Sequence, residues 1–138
     1  MKKMALILMA LLFPAFLYAA DVKQEVKLFI AADQGIESLV NSYVRRELRE
    51  IKDLEIVQTQ PFFWFLDIVC IEIKTKGGDQ RGYALSAVPL LNTLHSKWET
   101  VGLFEHHFLY VGDDLKQLIV KLIADFDSKC LEKMRQGI

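Results

Sequence analysis

The sequence predicts an α/β (α+β) fold, a two-layer sandwich in which a mixed sheet of about five strands carries two helices on one face. The predicted order is strand, helix, strand, hairpin, loop, strand, helix, or βαβββ(loop)βα. Three observations lead there. Two long stretches repeat apolar residues at helical spacing, while the runs between them alternate or are apolar throughout, as strands do. One run, Phe62 to Lys74, is apolar on both sides, which suits a central strand. Two amphipathic helices can shield one side of such a sheet but not both.

Taken in order, Glu25 to Ala31 alternates, with Val26, Leu28 and Ile30 on one side and Glu25, Lys27 and Phe29 on the other. Asp33 and Gly35 punctuate the chain, and Ile36, Leu39, Val40, Tyr43, Val44, Leu48 and Ile51 then form one stripe of a helix. Asp33 is the candidate cap. Leu54 to Gln58 reads as a short strand that, with the first strand and helix, makes a crossover unit of parallel strands. After Pro61, the central strand sets Trp64, Leu66, Ile68 and Cys70 against Phe63, Phe65, Val69, Ile71 and Ile73. Gly77, Gly78 and Asp79 provide a tight turn, so that Arg81 to Pro89 returns as a hairpin arm. Leu91 to Gly102 has no clean period and reads as a loop carrying Trp98. Phe104 to Val111 is the last strand. Asp114 with Gln117 forms a capping signal before a second helix, whose stripe is Leu115, Leu118, Ile119, Leu122, Ile123, Phe126, Cys130 and Met134.

The 138-residue chain opens with Lys2 and Lys3, an apolar run from Met4 to Tyr18 and then Ala19 and Ala20 before Asp21. This order of positive, apolar and small segments is that of a cleavable secretory signal. The run is shorter than the roughly 18 to 20 apolar residues that cross a bilayer as a helix. The expected organisation is therefore a signal peptide at 1–20 and a single α/β domain at 21–138, with cleavage after Ala19 or Ala20. No cysteine lies near the cut, so no lipid and no stable membrane anchor is expected after cleavage, and the expected location is the periplasm.

Both lysines leave with the signal, which takes the formal charge from -1 to about -3. That balance argues against nucleic acid as a partner. Cys70 and Cys130 are the two cysteines, sixty residues apart, which fits neither a redox pair nor a zinc knuckle. In an oxidising compartment a disulfide between them is open, but two separate buried thiols suit their apolar surroundings better.

The run RRELREIKDLEIV, the strand LDIVCIEIK, a Gly-rich turn and RGYALS resemble a family of small exported bacterial proteins with no assigned function. The order of elements from about Val26 to Val88 is similar to the amino-terminal, anticodon-binding-like domain of the Tol system's periplasmic propeller protein, and to envelope lipoproteins of that fold. The lipid-bearing cysteine of those lipoproteins is absent here. The resemblance implies an assembly or docking module of the cell envelope. It supplies no catalytic residue.

Candidate chemistry is sparse, and no motif points to a cofactor. His106 and His107, with Glu105 and the upstream His95, are the nearest approach to a metal or acid-base cluster. Neighbouring strand residues point to opposite faces, however, and zinc needs three or four convergent ligands. Asp67, between Leu66 and Ile68, is either a carboxyl at a site or a strand residue paired with Arg45 or Lys74. Asp125 and Asp127 read as helix-surface charges, and Arg45, Arg46 and Arg49 as a salt-bridged solvent face. Ser86 has no glycine elbow around it.

The strongest candidate is aromatic. If the helices cover the Val26, Leu28 and Ile30 side, the other side of the sheet is expected to show Phe29 with several of Trp64, Tyr83, Phe104, Phe108 and Tyr110, unless the Leu91 to Gly102 loop folds across it. An open apolar patch usually marks a partner. The first expectation is thus a non-enzymatic envelope module that binds an envelope protein, or itself, through an aromatic sheet face. The second is a small-ligand binder or hydrolase with a site near Asp67 and a histidine. Convergence of Asp67 with His95, His106 or His107 in one pocket separates the two.

Overall fold

The computed structural model describes residues 23–59, 62–93, 100–103 and 106–137. The predicted signal peptide lies outside the described residues. In chain order the elements are β1 (Gln24–Ala32), α1 (Glu37–Arg49), β2 (Leu54–Val57), β3 (Trp64–Lys74), β4 (Gln80–Thr93), β5 (Thr100–Leu103), β6 (Phe108–Gly112) and α2 (Leu115–Phe126). A π-helical turn, Asp127–Leu131, carries α2 into a last short helix, α3 (Glu132–Arg135).

The strands form one mixed sheet in the order β2-β1-β3-β4, with β5 and β6 both beside β4. β1 runs parallel to β2 and to β3, so the β1–α1–β2 unit is the expected crossover. β3 and β4 are the expected hairpin, and Gly78 at its turn has φ of 90°, a conformation that glycine adopts without steric cost. Both helices pack on one side, and the two-layer α/β sandwich is the observed architecture.

Two details differ from the sequence reading. Among the described residues there are six strands, because the Leu91 to Gly102 segment is not all loop: β4 continues to Thr93 and β5 pairs with its end. Residues 94–99, including His95 and Trp98, lie outside the described set. The last strand also starts at Phe108 rather than Phe104. β6 pairs with Tyr83 to Ala87 of β4 and β5 with Leu90 to Thr93, leaving Val88 and Pro89 between them. Proline has no N–H to give a neighbouring strand, so the partner of β4 changes at Pro89.

The core is built from one stripe of each element. α1 buries Val40, Val44 and Leu48, and α2 buries Leu115, Ile119, Leu122, Ile123 and Phe126. Against them lie Val26 of β1, Trp64, Leu66, Ile68 and Cys70 of β3, Leu85 and Ala87 of β4 and Phe108 of β6. Trp64 and Phe126 meet edge to face, with centroids 5.6 Å apart. The extra residue of the π turn brings Cys130 and the adjacent Leu131 inward together, which a regular 3.6-residue period does not anticipate.

Capping also splits between expectation and correction. Asp114 accepts from the backbone N–H of Gln117 at 3.1 Å, as read from the sequence. Asp33 does not cap α1, whose N-cap is Ile36 without a side-chain bond. Its carboxyl instead accepts from the Glu72 N–H at 2.7 Å, because the turn through Gly35 separates Asp33 from the helix start and leaves it beside β3.

The carboxy-terminal helix is tied to the β2 end of the sheet through Arg135. Its guanidinium donates two 2.7 Å bonds to Asp53 and also meets Asp127 and Glu132. Arg135 holds the Asp53 carboxyl below its ordinary value of 3.8. The sign is that of a depressed acid: the stabilisation is present above the unfolded value and is lost as pH falls through the lower folded one. Arg135→Ala is expected to cost no more than about 1 kcal/mol at neutral pH, since the pair is partly exposed. It should also flatten the loss of stability on acidification below about pH 4. Urea denaturation at pH 7 and pH 3 measures both.

Candidate functional site

Side chains alternate across a strand, so the stripes that feed the core leave a second set on the opposite face. Register assembles that set into rows. Phe29, Asp67 and Val88 form one row across β1, β3 and β4. Ala31, Val69, Ser86 and Leu109 form the next, and Ile71, Ala84 and Val111 the third. No helix lies over these rows among the described residues. Phe29 is 54% exposed, Val69 43%, Ile71 47%, Ile73 37%, Leu109 65% and Val111 66%. Three strand spacings by about 20 Å of β3 make a patch on the order of 300 Å², within the range at which such patches are often functional.

A small polar group sits inside this aliphatic field. The Ser86 hydroxyl and His107 Nε2 are 2.8 Å apart. Asp67 has one carboxyl oxygen, Oδ1, that is buried and has no hydrogen-bond partner. An unpaired buried acceptor favours any neighbour that brings it a donor. Neither Arg45 nor Lys74 pairs with it: Arg45 donates to Asn41 on α1, and Lys74 pairs with Glu72.

The histidines do not converge. His106 stacks on Phe108 on the helix side, with centroids 6.0 Å apart, whereas His107 bonds Ser86 on the open side. His95 lies outside the described residues. Asp67 is separated from His107 by the width of β4, since Asp67 pairs with Val88 and β6 lies beyond it. Among the described residues no group of three His, Cys, Asp or Glu side chains is placed to hold a metal ion. Three grooves among the described residues lie away from it: along α2 by Val120 and Ala124, between the helix ends by Tyr43, Tyr83 and Asp114, and beside Asp53 and Arg135.

The aromatic set expected on the open face is divided by the sheet. Phe29 is there. Trp64 is fully buried under the helices, because parallel register sets it opposite Val26. Phe108 is 4% exposed and Tyr110 packs against the core, since β6 sets them opposite Ala87 and Leu85. Tyr83, opposite Glu72 and Gly112, is also on the helix side and partly buried. Phe104 lies outside the described residues. Apart from Phe29 and the half-buried Phe65, the open face is aliphatic, and Val69, Ile71, Ile73, Leu109 and Val111 are the residues that the aromatic reading passes over. The signal for them was the second apolar stripe of the central strand.

Tyr110 has a structural partner instead. Its hydroxyl donates to the Asp125 carboxyl, which Lys129 also meets at 3.1 Å. Burial and that bond raise the tyrosine, and the same bond holds Asp125 low.

Cys70 and Cys130 are separate, buried and free. Burial pushes the Cys70 thiol up to about 11, with Asp33 and Glu72 adding to it, and the Cys130 thiol up to about 12. The thiolate is the reactive form, so neither side chain is activated near neutral pH. Iodoacetamide at pH 8 should leave both unmodified in the folded protein and label both in urea, as read by intact mass. Labelling in the native state, or a bridged mass, contradicts the assignment.

No family model matches the chain, and no curated protein matches it. Solved structures match it in fold. The PelC dodecamer from Paraburkholderia phytofirmans is 19% identical with a TM-score of 0.50, over 79% of this chain and 86% of that one. A Xanthomonas campestris protein of the family model DUF330 is 11% identical with a TM-score of 0.46, over 83% and 87%. The first likeness bears on the fold alone. No helix among the described residues is long and apolar enough to cross a membrane.

Proposed function

We propose that this chain is an exported, non-enzymatic protein of the cell envelope that docks another envelope protein on its uncovered sheet face. One observation carries the reading: six large apolar side chains stand exposed on the side of the sheet opposite both helices. A helix layer protects one face of this sheet, and the second face has the composition of a surface that is covered in use. The partner it suits presents an aliphatic surface. The lysines and apolar run at the start of the chain support the address, as does the resemblance to exported anticodon-binding-like domains. PelC, whose fold is similar, is described as a dodecamer, which fits a fold used for assembly.

The Ser86 and His107 pair does not favour hydrolysis, since Asp67 is not beside the histidine to orient it and the serine sits mid-strand on an open surface. A photo-crosslinking residue at Val69, in cells of the native host, tests the docking reading against the same residue at Val120 on α2. Adducts from Val69 and none from Val120 are expected. Equal labelling, or none from Val69, would overturn it.

A further inference from the structure

The two edges of the sheet are unequally protected. β2 is four residues long and carries Glu55. Where β3 runs on past β1, the Asp33 carboxyl occupies the Glu72 N–H. β6, Phe108–Gly112, has neither defence: it holds no charge, no proline and no bulge, and among the described residues no strand pairs with its outer side. Its two outward side chains on the open face, Leu109 and Val111, are also the most exposed large apolar residues of the described chain. An unblocked edge of this kind is a template for another strand.

We propose that the occupant is a second copy of this chain, joined by antiparallel pairing of β6 with its counterpart about a two-fold axis at Tyr110. The strand is complementary to itself in that register. Centring on Tyr110 overlaps all five residues and pairs Phe108 with the partner's Gly112 and Leu109 with the partner's Val111. A two-fold normal to the sheet keeps like faces together, so both helix layers fall on one side and both open faces on the other. The row of Val69, Ser86 and Leu109 then continues into the partner's Val111, Ala84 and Ile71, apolar except at Ser86. β6 itself holds no charge, and of the charges over its rings Lys121 and Lys129 are offset by Asp125, which Lys129 meets at 3.1 Å. Edge pairing leaves the open face uncovered, so it stands independently of the docking reading.

The register dictates the test. Directly opposed residues of an antiparallel pair have Cα atoms about 4.5 to 5.5 Å apart, within disulfide range, whereas Leu109 and its own copy are diagonal neighbours at about 7 to 8 Å. Leu109→Cys and Val111→Cys are therefore prepared separately, then mixed and oxidised. The expected result is a wild-type dimer at tens of micromolar by analytical ultracentrifugation, loss of dimer in Val111→Lys, and several-fold more cross-linked product in the mixture than in either variant alone. Both positions are exposed, so the fold is retained, and far-ultraviolet spectra check it. A wild-type monomer at that concentration overturns the proposal. So does a dimer that survives Val111→Lys, or one whose mixture cross-links no better than the separate variants.

Discussion

Trp64→Ala is expected to lower the unfolding free energy by about 3 to 5 kcal/mol, a large share of the roughly 5 to 15 kcal/mol that holds a domain folded. Trp64 is fully buried in the helix-covered face, between Val26 and Leu91 in register, and its ring meets Phe126 edge to face. Its indole N–H donates to Gln24 Oε1 at 3.0 Å, and Gln24 in turn donates to the Leu131 carbonyl at 3.4 Å. Truncation therefore opens a cavity and also unpins the sheet from the turn after α2. Trp64→Phe, which keeps a ring, should cost less. Urea denaturation midpoints measure both, and a loss below about 1 kcal/mol for the alanine variant would show that the core is centred elsewhere.

Phe108→Ser should be comparably damaging, by about 3 to 5 kcal/mol for the lost ring, with a buried hydroxyl added to the deficit. Phe108 is 4% exposed, sits opposite Ala87, stacks with His106 and lies under the Lys129 ammonium. Tyr110→Phe, two residues on, removes only the bond to Asp125 and should cost about 1 kcal/mol. Thermal melts followed in the far ultraviolet distinguish the two. A Phe108→Ser variant that melts with the wild type would place that side chain outside the core.

The sequence carried the layers of this fold because they rest on local periods. The α1 stripe of Val40, Val44 and Leu48 and the Asp114 cap are readable from spacing alone. Register is not local. That Trp64 faces Val26, or Phe108 faces Ala87, depends on how distant strands align, so grouping the aromatic side chains by type puts them on a face that most of them do not share. Val69, Ile71 and Ile73 were visible as a second stripe of the central strand, but only the placement of both helices on the Trp64 side leaves that stripe in the open. Pro89 was visible too, and its missing N–H explains the change from β6 to β5 that a single strand from Phe104 to Val111 overlooked. The π turn was not legible, because one extra residue in a helix leaves no mark beyond the burial of two neighbours.

The two faces of one sheet have different employment in the function proposed: the Trp64 face holds the fold, and the Val69 face is the one proposed to meet a partner. Capture from cross-linked envelopes by a Val69→Asp/Ile71→Asp double variant tests this most directly, because both positions are exposed and the change, which trades two β-branched residues for carboxylates on the face of Asp67, should cost about 1 to 2 kcal/mol without unfolding the domain. The predicted result is a variant with a native far-ultraviolet spectrum and a modestly lowered urea midpoint that no longer yields the cross-linked adduct obtained with the wild-type chain. A folded variant that retains the adduct at the wild-type level would contradict it.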